Sequence, residues 1–214
     1  MRMRTPFLAG ALCLAYAVPA GACTYAPFAS YTAIPTQMTW GVGLSSVFSD
    51  PMANGITGDV AMKLGDKAFV RPMVGLCSID SETNPVFGAG VGMQLSQSST
   101  MSLNLQSGIG YESFDGGSAM TIPIGAAARF SGSGSMNFYA GGSLVWTSVD
   151  VDGFGSASDT NPMLYGGVMS RSGSMGWTLG GQLLMGDETE FGIVAGLNFG
   201  GAASALRNFG RIFK

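Results

Sequence analysis

The sequence predicts an all-β chain, folded as a closed, antiparallel, up-and-down transmembrane β-barrel. Three observations carry that expectation: few charges without a membrane-length apolar run, repeated alternation with period two, and connections that alternate in length. Only 11% of the 214 residues are charged, against about 25% in ordinary soluble domains. A surface built from so few charges is poorly solvated by water. After the first twenty-odd residues, no apolar run reaches the roughly 18 that a spanning helix needs. That leaves a lipid-facing β-barrel, a fibrous or low-complexity chain, or an atypical soluble β protein.

Period-two alternation marks a strand with one apolar face, and Met101 to Glu112 shows it most clearly. Met101, Leu103, Leu105, Ile109 and Tyr111 share one face, against Ser102, Asn104, Gln106, Gly108, Gly110 and Glu112 on the other. Met120, Ile122, Ile124, Ala126, Ala128 and Phe130 repeat the pattern, as do Phe191, Ile193, Ala195, Leu197 and Phe199. Ten such segments can be marked: 38–48, 56–64, 68–77, 86–95, 101–112, 119–130, 136–148, 163–170, 175–185 and 191–199. An eight-stranded barrel is the alternative, and the eighth segment has the least regular phase. Pro72 and Pro123 fall inside strands three and six, where each removes a ladder donor. Most segments match the roughly 9–11 residues of a tilted bilayer-crossing strand. An even count places both termini on the periplasmic side.

That topology demands short turns after even strands and longer connections after odd ones. The even connections, such as Gly65-Asp66-Lys67 and Ser131 to Ser135, are brief and mostly Gly and Ser. Among the odd ones are Ser49 to Gly55, Ser78 to Pro85 and Val149 to Pro162; only the last, Gly186 to Glu190, is short. Aromatic residues gather at strand ends, as amphipathic rings do at headgroup level. Trp40, Phe130, Phe138, Trp177 and Phe199 fall on the periplasmic rim; Phe48, Phe87, Tyr111, Trp146, Tyr165 and Phe191 fall on the other. Charge is sorted in the same sense. Asp50, Asp80, Glu82, Asp115, Asp150, Asp152, Asp159, Asp187, Glu188 and Glu190 lie in or beside the odd connections, which hold no Lys or Arg.

Residues 1–22 read as an export signal. Arg2 and Arg4 precede an apolar stretch from Phe7 to Val18, and Ala20-Gly21-Ala22 supplies small-x-small before Cys23. Cys23 then begins the mature chain, free for ordinary cleavage or for lipidation, with Ala20 standing where lipoprotein signals usually carry Leu. The mature chain keeps two cysteines, Cys23 and Cys77, open to a disulfide in an oxidising compartment. Residues 24–37, an aromatic and Pro-containing lead, either hang in the periplasm or plug the lumen. A Cys23–Cys77 bridge requires the second, because the cysteines begin at opposite ends of the bilayer, about 30 Å apart. Fourteen residues reach at most roughly 50 Å, so the bridge is within reach. The tail 200–214 places Leu206, Phe209 and Phe213 near helical spacing, with Arg207, Arg211 and Lys214 between them, as a short membrane-surface helix or a frayed end.

With these features on one chain, residues 38–199 resemble the small bacterial outer-membrane β-barrel proteins of the opacity-protein and OmpA-barrel type. The resemblance is one of architecture and rests on no specific motif. It implies an outer-membrane location and contact with lipid, lipopolysaccharide and the barrel-assembly machinery, for which a final aromatic, here Phe199, is the assembly signal. Two departures stand out: the type usually has eight strands, and here fifteen residues follow Phe199.

Chemistry is sparse. There is no His, which removes the usual nucleophile–base pairs and the commonest general base. No CxxC or Cys/His cluster offers a zinc site. Asp187, Glu188 and Glu190 share one loop with nothing to bury them, so no enzyme and no cofactor are expected. Asp150-Val151-Asp152-Gly153, with Asp159 beyond, lacks the third oxygen ligand, the Gly at six and the Glu at twelve of a calcium loop. Weak divalent-cation binding among the acidic loops is the remaining metal expectation. Beyond residue 22 there are 8 basic and 13 acidic residues and no basic patch, so nucleic acid is not an expected partner. The small-residue face lines the lumen and carries Asp59, Lys63, Arg71, Glu112 and Arg129. Pairing strands two and three across Gly65-Asp66-Lys67 sets Ala61 opposite Arg71, with Asp59 and Lys63 diagonal to it. An Asp59–Arg71 pair closing part of the lumen is the expectation. The functional reading is a structural or surface-interacting outer-membrane barrel with acidic extracellular loops. A narrow conduit for small molecules is the alternative, and a soluble periplasmic ligand-binding barrel with its apolar face inward is a second one.

Overall fold

In the computed structural model, the described residues are Cys23, 38–49, 52–79, 82–132, 134–172, 174–187 and 189–200. The expected signal at 1–22, the lead at 24–37 and the tail from 201 lie outside them. Ten strands follow one another: β1 (Thr39–Phe48), β2 (Ala53–Leu64), β3 (Ala68–Ile79), β4 (Glu82–Gln97), β5 (Met101–Phe114), β6 (Gly117–Ser131), β7 (Met136–Val151), β8 (Gly155–Ser172), β9 (Met175–Met185) and β10 (Thr189–Gly200). Each pairs antiparallel with its sequence neighbours, and β10 returns to β1, so the sheet closes into a barrel without an edge. Thr39 and Gly200 lie at one end, the terminal rim; the β1–β2, β3–β4, β5–β6, β7–β8 and β9–β10 connections lie at the other, the distal rim.

Which face turns inward follows from the alternation. Ile124 and Leu144, on the apolar face, are 57% and 59% exposed, whereas Thr121 and Asn104, on the small polar face, are each 1% exposed. The apolar face is therefore the outer wall, as a lipid-facing barrel requires. A soluble barrel with an apolar interior is excluded, because its sheet would have to be turned inside out. Trp40, Phe130, Phe138 and Trp177 stand outward near the terminal rim, and Phe48, Phe87, Tyr111 and Phe191 near the distal one. The closing seam is fixed at its ends by such residues. Phe48 stacks on Phe191 at 6.1 Å and 11°, and Trp40 is in register with Phe199.

Two expectations are corrected. Long odd loops are not found at the described connections. Instead the strands run on beyond the expected segments, β8 to 18 residues, and the β7–β8 hairpin turns in Asp152, Gly153 and Phe154 alone. Ladder hydrogen bonds can continue past the bilayer, but there the outer face meets water and the hydrophobic alternation that reveals a strand fades. Tyr165 is not a rim aromatic. It is buried inside the barrel, because β8 carries Leu164 outward and turns Met163 and Tyr165 inward. The prolines lie inside β3 and β6, as expected. Each opens a local gap in the ladder, between Asp59↔Met73 and Met62↔Val70 beside Pro72, and between Ser107↔Ile124 and Gly110↔Thr121 beside Pro123. Pairing resumes in register on either side.

Turn chemistry is conventional. Gly116 and Gly153 adopt φ of 78° each in the β5–β6 and β7–β8 turns, a left-handed conformation that a Cβ disfavours. β4 carries a bulge between Gln94 and Ser96, which lets its end bend over the terminal rim.

The wall assignment predicts an asymmetry. Ile124→Arg or Leu144→Arg should cost about 2–4 kcal/mol and block membrane insertion, whereas Gln106→Arg, on the lumen face, should insert at a reduced yield. Urea titration of folding into lipid vesicles measures both effects.

Candidate functional site

The lumen holds the polar residues and is the candidate site. Toward the terminal rim, Asp59 of β2 and Arg71 of β3 point inward and form an ion pair, with Arg71 Nε 3.1 Å from Asp59 Oδ1 and both side chains almost fully buried. Glycine makes the space for it. A Cβ at Gly41, opposite Asp59 on β1, would overlap the carboxylate. The Arg71 guanidinium also lies 5.6 Å from the Phe69 ring centre, within cation–π range, and that ring occupies the room left by Gly92 of β4.

The other expected lumen residues are not brought together. Lys63 shares the inward phase of Asp59 but leaves the lumen at the strand end. It is exposed and pairs with Asp66 at 3.1 Å, because the 65–67 turn carries that carboxylate back beneath it. The diagonal to Arg71 is thus made by Asp59 alone. Arg129 faces inward near the terminal rim, half-buried and opposite Tyr139 in register. Glu112 is fully buried in the distal half, where Asn84 Nδ2 donates to its Oε1 at 3.4 Å. Phe199 stands in the outward phase on β10, half-buried, in register with Trp40 and Met175.

Two apolar clusters occupy the lumen among its polar residues. One joins Ala127, Tyr139, Val145, Met163, Tyr165 and Leu184. The two tyrosines lie over a glycine floor spread across three neighbouring strands: a Cβ at Gly141 would strike the Tyr165 ring, and one at Gly167 or Gly180 would strike the Tyr139 hydroxyl. Sequence reasoning missed this cluster. The signal was present in the Gly166-Gly167 and Gly180-Gly181 pairs, which lie directly opposite each other, and in Gly141-Gly142, two residues farther toward the distal end. The second cluster, at the distal end, contains Val47, Ala53, Cys77, Ile79, Val86, Ala119 and Val149 with Cys23 among them. Cys23 is bonded to Cys77, with their Cα atoms 5.8 Å apart, and its sulfur lies against the bare backbone of Gly55. While that disulfide stands, the Cys23 sulfur cannot carry a lipid thioether.

Outside the lumen, a cleft of about 320 Å³ at the distal rim is lined by Tyr111, Phe114, Gly116, Ser118, Asp150 and Asp152 among others. Asp159 does not join the two aspartates there. It accepts instead from its neighbour Thr160 N at 2.7 Å and from Asn161 Nδ2 at 2.9 Å. Among the described residues no three His, Cys, Asp or Glu side chains form a group able to hold a metal ion.

Wall, closure and polar interior together define a ten-stranded transmembrane β-barrel fold. No protein-family model and no curated protein matches the sequence. Solved structures match the fold. The β domain of the Bordetella autotransporter BrkA aligns with a TM-score of 0.51 and 11% identity, over 77% of this chain and 99% of that one. Neisserial surface protein A aligns at 0.37 and 11% identity, over 77% and 96% of the two chains, and the NanC porin at 0.42 and 10%, over 76% and 98%. At such identities the likeness is one of fold.

Breaking the lumen ion pair should be more damaging than removing it. Asp59→Ala leaves the Arg71 charge buried and uncompensated, at a predicted cost of about 3–5 kcal/mol. The double variant Asp59→Leu/Arg71→Met should recover most of that loss, as read from urea unfolding in detergent.

Proposed function

We propose that the protein is a non-enzymatic outer-membrane barrel, structural or surface-interacting, which presents its acidic distal hairpins to the exterior. The observation that carries this reading is the filling of the lumen by the chain's own side chains. Apolar clusters occupy it at two levels, and the Asp59–Arg71 pair ties β2 to β3 across its polar part. A barrel arranged in this way serves as a rigid mount, and what it offers to its surroundings is its rims.

The charge of those rims supports the orientation. Asp115, Asp150, Asp152 and Asp187 lie at the distal end, while Lys63, Lys67, Arg129 and Arg171 lie at the terminal end. Termini on the periplasmic side agree with export by a leader removed after Ala22 and with insertion by the barrel-assembly machinery reading Phe199. The acidic hairpins then stand among lipopolysaccharide headgroups, where weakly held divalent cations can bridge the two sets of anions.

Two measurements test the proposal. Purified protein in planar bilayers should give no sustained conductance steps; reproducible steps would instead establish the narrow-conduit reading. A short epitope placed at Gly153 should be accessible to antibody on intact cells, and one placed at Gly132 should not. Reversed labelling would overturn the orientation.

A further inference from the structure

Glu112 is the most deeply buried ionisable side chain of the distal half, and nothing described so far uses it. It is 0% exposed. Its Oε1 accepts from Asn84, while its Oε2 has no hydrogen-bond partner among the described residues. A carboxylate taken out of water is costly unless a cation and further donors meet it. The chain's basic side chains do not supply that cation. Among the described residues, Lys63, Lys67, Arg129 and Arg171 belong to the terminal end, and Arg71 is held by Asp59.

The surroundings of Glu112 are nevertheless specific. Its cross-strand neighbours are Val86 on β4 and Ala119 on β6, and both belong to the distal cluster that contains Cys23. Asn84, the donor to Glu112, is paired in register with Cys77, the disulfide partner of Cys23. Cys23 is therefore held inside the barrel in a cluster two of whose members, Val86 and Ala119, flank Glu112 on the neighbouring strands. In the uncleaved chain its nitrogen is a neutral amide.

We propose that removal of residues 1–22 creates the missing cation: the α-ammonium group of Cys23 seats against Glu112 and completes the lumen. The inference rests on the reading of 1–22 as a leader cleaved after Ala22. In that cleavage, water adds across the Ala22–Cys23 peptide bond. Ala22 departs with the new carboxylate, and the amine left on Cys23 takes up a proton, as an α-amino group near neutral pH does. Disulfide and ion pair then act together. The bond to Cys77 holds the new terminus inside the barrel, and the charge pair fixes its position there. The uncleaved precursor lacks this contact, so maturation and final packing of the distal lumen are coupled.

The test uses mature protein purified from outer membranes. Intact mass first establishes whether the chain begins at Cys23; a different first residue would overturn the leader reading and the pair with it. With Cys23 first, acylation of the α-amine by an amine-reactive ester should be about tenfold slower in folded than in unfolded protein, the effect of raising an amine pKa by about one unit. Glu112→Gln should remove that protection and Glu112→Asp should retain part of it, while Glu190→Gln, at a second distal carboxylate, should leave it unchanged. Protection that persists in full in Glu112→Gln would mean that burial alone shields the terminus, and would overturn the pairing. A zero-length carbodiimide treatment of the wild type needs no variant. It should join Cys23 nitrogen to the Glu112 carboxyl with loss of one water, and cross-linking of Glu112 elsewhere would contradict the pair.

Discussion

Backbone hydrogen bonding in a medium without water is the constraint on which the rest of this structure depends. Inside a bilayer every N–H and C=O must find its partner within the protein, so a sheet can cross only if its last strand returns to its first. The β1–β10 seam meets that demand with an unbroken register from Thr39↔Gly200 to Phe48↔Phe191. Once the sheet is closed, its two faces are fixed as outside and inside. Lipid then selects Leu, Ile, Val and aromatic residues on one face, and confinement selects Gly, Ser and Thr on the other.

Confinement has its own consequences. Barrel diameter grows with strand number, so ten strands enclose more space than eight, and this chain fills it with few large residues. It does so by pairing them with glycines. Tyr139 lies over Gly167 and Gly180, Tyr165 over Gly141, and Phe69 over Gly92. Each ring covers backbone that a glycine leaves bare, which binds neighbouring strands together as side-chain packing does in a soluble core. The Asp59–Arg71 pair depends on the same device at Gly41. The distal cluster differs, since one of its residues, Cys23, comes from outside the barrel strands and is held by a covalent bond to β3.

Much of this was legible in the sequence. The strands and their two faces follow largely from alternation, β8 excepted, and β5 matches the expected faces at Met101, Leu105, Ile109 and Tyr111 outside and Ser102, Asn104 and Glu112 inside. The Asp59–Arg71 contact also follows from register, because the short 65–67 turn fixes how β2 meets β3. Other features were hidden for physical reasons. Toward the distal rim the outward face turns polar, at Ser148 and Asp150 of β7 and at Ser156, Ser158 and Thr160 of β8, so the hairpin extensions look like loops. Tyr165 suits either face, being apolar in its ring and polar at its tip. Lys63 has the lumen phase, but its position at a strand end lets the turn residue Asp66 capture it, which alternation cannot indicate.

The central claim is that the apolar face of a closed sheet meets lipid. Separation of the two membranes of the native host, followed by electrophoresis of unheated and boiled samples, tests it most directly. The account predicts recovery in the outer-membrane fraction, resistance to alkaline extraction and faster migration of the unheated protein, because a closed barrel stays compact in cold detergent. Release into the soluble periplasmic fraction, with one mobility before and after boiling, would contradict it.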